Sequence, residues 1–104
     1  MAIKGILREE LENSLKMKAD YERELAKLPR GSLAKRKIKG KHYYYLIYRE
    51  HGKVRSDYKG KVKEKIIREY AEAKKYRAKY RHLLSRVKKE IRFLKGALRG
   101  KEDV

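Results

Sequence analysis

At 104 residues the chain has room for one modest domain and not for a large buried core. It holds 32 basic residues against 14 acidic ones, a formal net charge of +18, so its compact state repels itself unless an anionic partner screens it. Cysteine is absent, which excludes a disulfide framework, a thiol nucleophile and a Cys-based zinc site.

The charge is unevenly placed. Residues 1 to 30 carry 7 basic and 6 acidic groups, residues 31 to 60 carry 9 and 2, and residues 61 to 104 carry 16 and 6. Nucleic acid is the polyanion that such an excess suits best. Gln, Thr and Trp are missing and Asn13 is the only Asn, so thermolabile amides are nearly absent while charges abound. That pattern is associated with proteins that work hot, and a thermophilic, archaeal source is expected. The beginning turns acidic within ten residues, unlike a secretory signal, and no run reaches the length of a membrane span. A soluble, cytoplasmic protein with no membrane partner is expected.

In chain order, Leu7, Leu11, Leu15, Tyr21, Leu25 and Leu28 recur at helical spacing and predict an amphipathic helix over 6–28, with Lys18 interrupting the stripe. Glu9, Glu10 and Glu12 are expected in its first turns, where they complement the helix dipole. Pro29 stops the helix, because it lacks an amide donor and restricts the residue before it.

Residues 32–60 read as three short antiparallel strands around two-residue turns at Lys39-Gly40 and His51-Gly52. The turns set the register: Ile38 opposes Lys41, Arg36 opposes Tyr43, Ile47 opposes Ser56 and Glu50 opposes Lys53. One face then carries Ala34, Arg36, Ile38, Tyr43, Tyr45, Ile47, Val54 and Tyr58, and its β-branched members assign it to the core. The opposite face is read as the exposed one. There Lys35, Lys37, Arg55 and Lys59 are expected to meet phosphates while Tyr44 and Tyr48 meet bases or sugars.

After Gly60 a helical period holds over 61–98. Tyr70, Ala73, Arg77, Tyr80, Leu84, Val87, Ile91, Leu94 and Leu98 alternate steps of three and four, the spacing of a coiled-coil seam. A helix of roughly 37 residues is about 55 Å long, against about 35 Å for the first helix. Leu84, Val87, Ile91, Leu94 and Leu98 would then lack an internal partner, and a homodimer through them is expected. A break near His82 to Arg86 would instead fold the helix back, but no Gly or Pro marks one. The fold class expected is therefore α+β, a single domain of helix, three-stranded antiparallel sheet and long helix.

Catalytic and cofactor signals are weak throughout. His42, His51 and His82 have no Cys or carboxylate at metal-ligand spacing, and Ser14, Ser32, Ser56 and Ser85 lack a nucleophile elbow. Glu50 and Asp57 are the only acids between Pro29 and Lys61, and Gly60-Lys61 lacks the rest of a phosphate loop. The expectation is no enzyme, no cofactor and no small-molecule substrate. The function expected is that of a non-catalytic nucleic-acid-binding protein, of DNA or RNA, using the basic and tyrosine-bearing sheet face. The alternative is an adaptor or oligomerisation module that docks its long C-terminal helix to an acidic partner.

Gly31-Ser32-Leu33, Tyr43-Tyr44-Tyr45-Leu46 with Tyr48-Arg49, then Gly52-Lys53-Val54, Ser56, Tyr58 and Gly60 together form a recognisable pattern. It resembles a family of small, largely uncharacterised prokaryotic proteins and appended domains. The resemblance implies the helix, sheet and helix architecture and brings no catalytic residue or cofactor with it. The sheet is also similar to the arm-type DNA-binding domain of tyrosine recombinases, which implies duplex DNA contacted by a three-stranded sheet. This chain departs from that pattern in its long flanking helices and in having no catalytic domain.

Overall fold

A computed structural model describes residues 3–101. Helix α1 spans Ile3–Lys27, strands β1, β2 and β3 span Ser32–Ile38, Lys41–Glu50 and Lys53–Gly60, and helix α2 spans Glu64–Lys101. This is the α+β arrangement expected, with the sheet antiparallel in the order β1-β2-β3. Helix α2 runs from Glu64 to Lys101 without the break considered near His82. No helix among the described residues is long and apolar enough to cross a membrane.

The chain forms two compact units, one made of α1 with α2 from Ala78 onward, the other of Leu28–Arg77.

In the helical unit, Tyr21 of α1 lies against Tyr80 of α2 with ring centroids 6.1 Å apart. Farther along, Met17 and Tyr21 share a cleft with Leu83 and Val87. The side chains withdrawn from solvent on α1 include Lys4, Leu7, Leu11, Ser14, Lys18, Tyr21 and Leu25, which step by three and four in alternation, with Glu24 beside them. This corrects the stripe expected through Leu15, which is 42% exposed, while Ser14 is buried at 2%. An apolar residue next to a true seam position misleads a reading based on hydrophobicity alone. In an antiparallel pair that joins Tyr21 to Tyr80, Ser14 comes level with Val87, which is equally buried.

Val87, Ile91 and Leu94 are buried within the single chain, and Leu84 and Leu98 are half-buried. The lack of an internal partner expected for these five is corrected: α1 begins at Ile3 rather than Ile6, and its seam reaches far enough to cover them. The earlier start also moves Glu9, Glu10 and Glu12 out of the first turn, which contains no acid, while Lys27 in the last turn complements the dipole.

In the sheet unit, every residue pair predicted from the turns is found: Ile38 with Lys41, Arg36 with Tyr43, Ile47 with Ser56 and Glu50 with Lys53. Lys39 and His51 have φ of 50° and 52°, and the glycines that follow have 79° and 78°. Both central residues are left-handed in each turn, which matches the right-handed twist of the strands. The register slips between Tyr44 and Tyr45, whose partners are Gly60 and Tyr58, so Lys59 is the extra residue of a β-bulge.

The entry to β1 is tightly determined. Gly31 has φ +87°, and a Cβ there would come within 2.6 Å of the Ile47 carbonyl oxygen, so no other residue fits without moving backbone. Around it, Arg77 donates to the Pro29 carbonyl at 2.6 Å and to that of Gly31 at 3.4 Å, while Arg30 donates to the Arg49 carbonyl. Arg77 is a half-buried member of the heptad seam, so a position that looks like a polar fault in the stripe serves as the tie to this loop. At the other end of the sheet, the Lys63 carbonyl accepts from the amides of Ile66 and Ile67 at 3.0 and 3.1 Å and starts α2.

Candidate nucleic-acid interface

The sheet meets α2 through the face expected to be exposed. Leu33 and Leu46 are direct cross-strand partners, and with Val62, Ile66 and Tyr70 they line a cleft beside the start of the helix. Lys35 and Tyr44, also partners, line a second cleft with Ile67 and Ala71. The opposite face, expected in the core, is open at its ends and along β3: Ile38, Val54 and Tyr58 are 45, 65 and 59% exposed, while Ala34, Tyr43, Tyr45 and Ile47 are half-buried.

The two faces are therefore exchanged relative to the sequence reading. The β-branched residues that drew one face inward are favoured in strands by their fit to a pleated surface, whether or not that surface is covered. The side that meets α2 is marked instead by the one pair of facing leucines, a half-buried aliphatic seat beside the start of the helix. Long lysine stems beside that seat keep their ammonium groups in water and do not oppose it.

Each residue proposed from the sequence to contact nucleic acid can now be located. Lys35, Tyr44 and Lys59 line the clefts against α2. Tyr48 is half-buried, with the Arg30 guanidinium 5.8 Å from its ring centroid and its hydroxyl hydrogen-bonded to Asp57. The Asp57 bond, with burial and the nearby carboxylates adding to it, raises the Tyr48 pKa above its ordinary value of 10.0. Arg55 lies 3.9 Å from the Glu50 carboxylate, a partly exposed pair of small energetic weight. Lys37 is exposed near the first turn, paired with His42. The six thus share a face but do not form one free platform.

The open face gathers a different set. Tyr58 lies between Tyr45 and Tyr43, with ring centroids 5.2 and 6.4 Å away. The Arg36 guanidinium sits 5.5 Å from the Tyr45 ring centroid. Lys41 and Arg49 alternate with the two β2 tyrosines along the same strand and are exposed. The strand positions on this face, from Ala34 to Ile38, Lys41 to Arg49 and Val54 to Tyr58, include no acid, whereas Glu50 and Asp57 both belong to the other side. That distribution was available in the sequence and separates the faces better than the β-branched residues do.

A sequence pattern described as a domain of unknown function, DUF6788, matches residues 7–69. The chain belongs to the DUF6788 family. The matched stretch takes in most of α1, the whole sheet with both turns, and the beginning of α2. Its extent agrees with the resemblance carried by Gly31 to Gly60, which lies wholly inside it. No curated protein and no solved structure matches the chain. The DUF6788 match brings no assigned activity, so the reading of function rests on the geometry of the two sheet faces.

Proposed function

We propose that the protein is a non-catalytic nucleic-acid-binding protein whose open sheet face makes the contact. The observation that carries this reading is the row of tyrosines formed by exposed Tyr58 and half-buried Tyr43 and Tyr45, on a face that holds exposed Arg36, Lys41 and Arg49 and no acid. Flat rings offer stacking surfaces to unpaired bases, worth roughly 1–3 kcal/mol per base. Cations spaced along the strands meet phosphates, without reading sequence. The +18 net charge brings the polyanion in and makes its affinity fall with salt. The likeness to arm-type recombinase domains implies duplex DNA, which therefore belongs in the test beside single strands.

Fluorescence anisotropy with single-stranded DNA, duplex DNA and structured RNA across a salt series tests the reading. The double variant Tyr45→Ala/Tyr58→Ala should weaken single-strand binding at least about tenfold, on the stacking energies above. The triple reversal Arg36→Glu/Lys41→Glu/Arg49→Glu should in addition flatten the salt slope. Wild-type affinity in both variants, or no salt slope in the wild type, contradicts it.

A further inference from the structure

The second face of the sheet carries its own opportunity, independent of the first. Its two clefts, of about 330 and 340 Å³, share Leu33 and Tyr70 and so form one groove along the junction with α2. The floor is mostly aliphatic, from Leu33, Leu46, Val62, Ile66, Ile67 and Ala71, with Tyr70 in both clefts and Tyr44 in one. The lining also includes Lys59, Lys61 and Lys63 in one cleft and Lys35 and Lys74 in the other, with no acid in either.

We propose that this groove docks an acidic amphipathic peptide segment of a partner protein. Apolar side chains of that segment would replace water over the aliphatic floor, and its carboxylates would meet the lysines. Each cleft is near the small end of ligand pockets, with room for a few side chains rather than a large cofactor. Nucleic acid fits the groove less well, because bases stack on aromatic planes and the aliphatic residues outnumber the two rings, Tyr44 and Tyr70, in the lining. A second copy of the chain fits less well too, since it brings another +18 to a surface already lined by lysines.

The test uses the full chain and a fluorescein-labelled helical peptide with Leu and Phe on one face and Glu on the other. A control peptide keeps the Glu residues and replaces every Leu and Phe by Ser. The first peptide should bind and the control should bind at least about tenfold more weakly, the difference that burial of two or more large apolar side chains makes. Ile66→Glu places a charge on the floor of the groove, and Lys61→Glu/Lys63→Glu reverses its exposed wall; each should weaken binding at least about tenfold. Lys88→Glu/Lys95→Glu, on exposed positions of α2 outside the groove, should change it less than about threefold. The lysine pairs are exposed, so the comparison stands even if Ile66→Glu fails to fold. Equal binding of both peptides, equal effects of the two lysine pairs, displacement of the peptide by oligo(dT), or no binding at all would overturn the proposal. So would light scattering showing a dimer that the peptide does not dissociate.

Discussion

Tyr48 shows how a residue legible as a ligand-stacking ring can be committed elsewhere. Its ring lies beneath Arg30, its hydroxyl is bonded to Asp57, and the carboxylate holds its proton more tightly than water does. Because the pKa is raised, whatever this hydroxyl adds to stability is present below pH 10.0, the ordinary value, and is lost as pH climbs through the higher folded value. NMR titration of the tyrosine ring carbons should show Tyr48 ionising later than in the Asp57→Ala variant, where its midpoint falls back towards 10.0. An unchanged midpoint in that variant would mean that the carboxylate is not the cause. The turns were easier to read, because Lys39-Gly40 and His51-Gly52 have one low-strain way to join adjacent strands, and the whole register follows from them. Arg77 was not readable. Nothing in a heptad stripe says that an arginine on it will reach back to the carbonyls of Pro29 and Gly31.

At the scale of elements, helical spacing recovered the long helix with its seam: none of the nine positions from Tyr70 to Leu98 is exposed. It failed on the short helix at Ser14 and Leu15, because hydrophobicity marks which residues favour burial and packing decides which are buried. Replacing the buried serine therefore separates the two stripes. Ser14→Leu should destabilise the protein by about 1–3 kcal/mol through overpacking against Val87, whereas Leu15→Ser should cost less than about 1 kcal/mol. Urea unfolding followed by circular dichroism measures both, and the reverse order would restore the stripe through Leu15. The strands posed a harder problem. Alternation divides a strand into two faces, but with rings on both sides it does not say which face α2 takes. The facing pair Leu33 and Leu46 and the lack of acids on the Tyr45 side are the two signals that do.

For the molecule as a whole, an excess of 18 positive charges coexists with two sheet faces of different chemistry. One is aromatic, cationic and open; the other is aliphatic at its floor and lined with lysines. The first suits a ligand that offers phosphates and flat bases, and the second one that offers carboxylates and apolar side chains, so on the two proposals the same net charge would serve two kinds of recognition. Membership of the DUF6788 family covers both faces, because residues 7–69 include all three strands. The measurement that reaches the central claim most directly is an NMR titration of the full chain, labelled at its tyrosine rings, with a short single-stranded oligonucleotide. Ring signals of Tyr43, Tyr45 and Tyr58 should move together and saturate, while those of Tyr44 and Tyr70 in the groove stay in place. Movement confined to Tyr44 and Tyr70, or no movement of any ring at saturating oligonucleotide, would contradict the account.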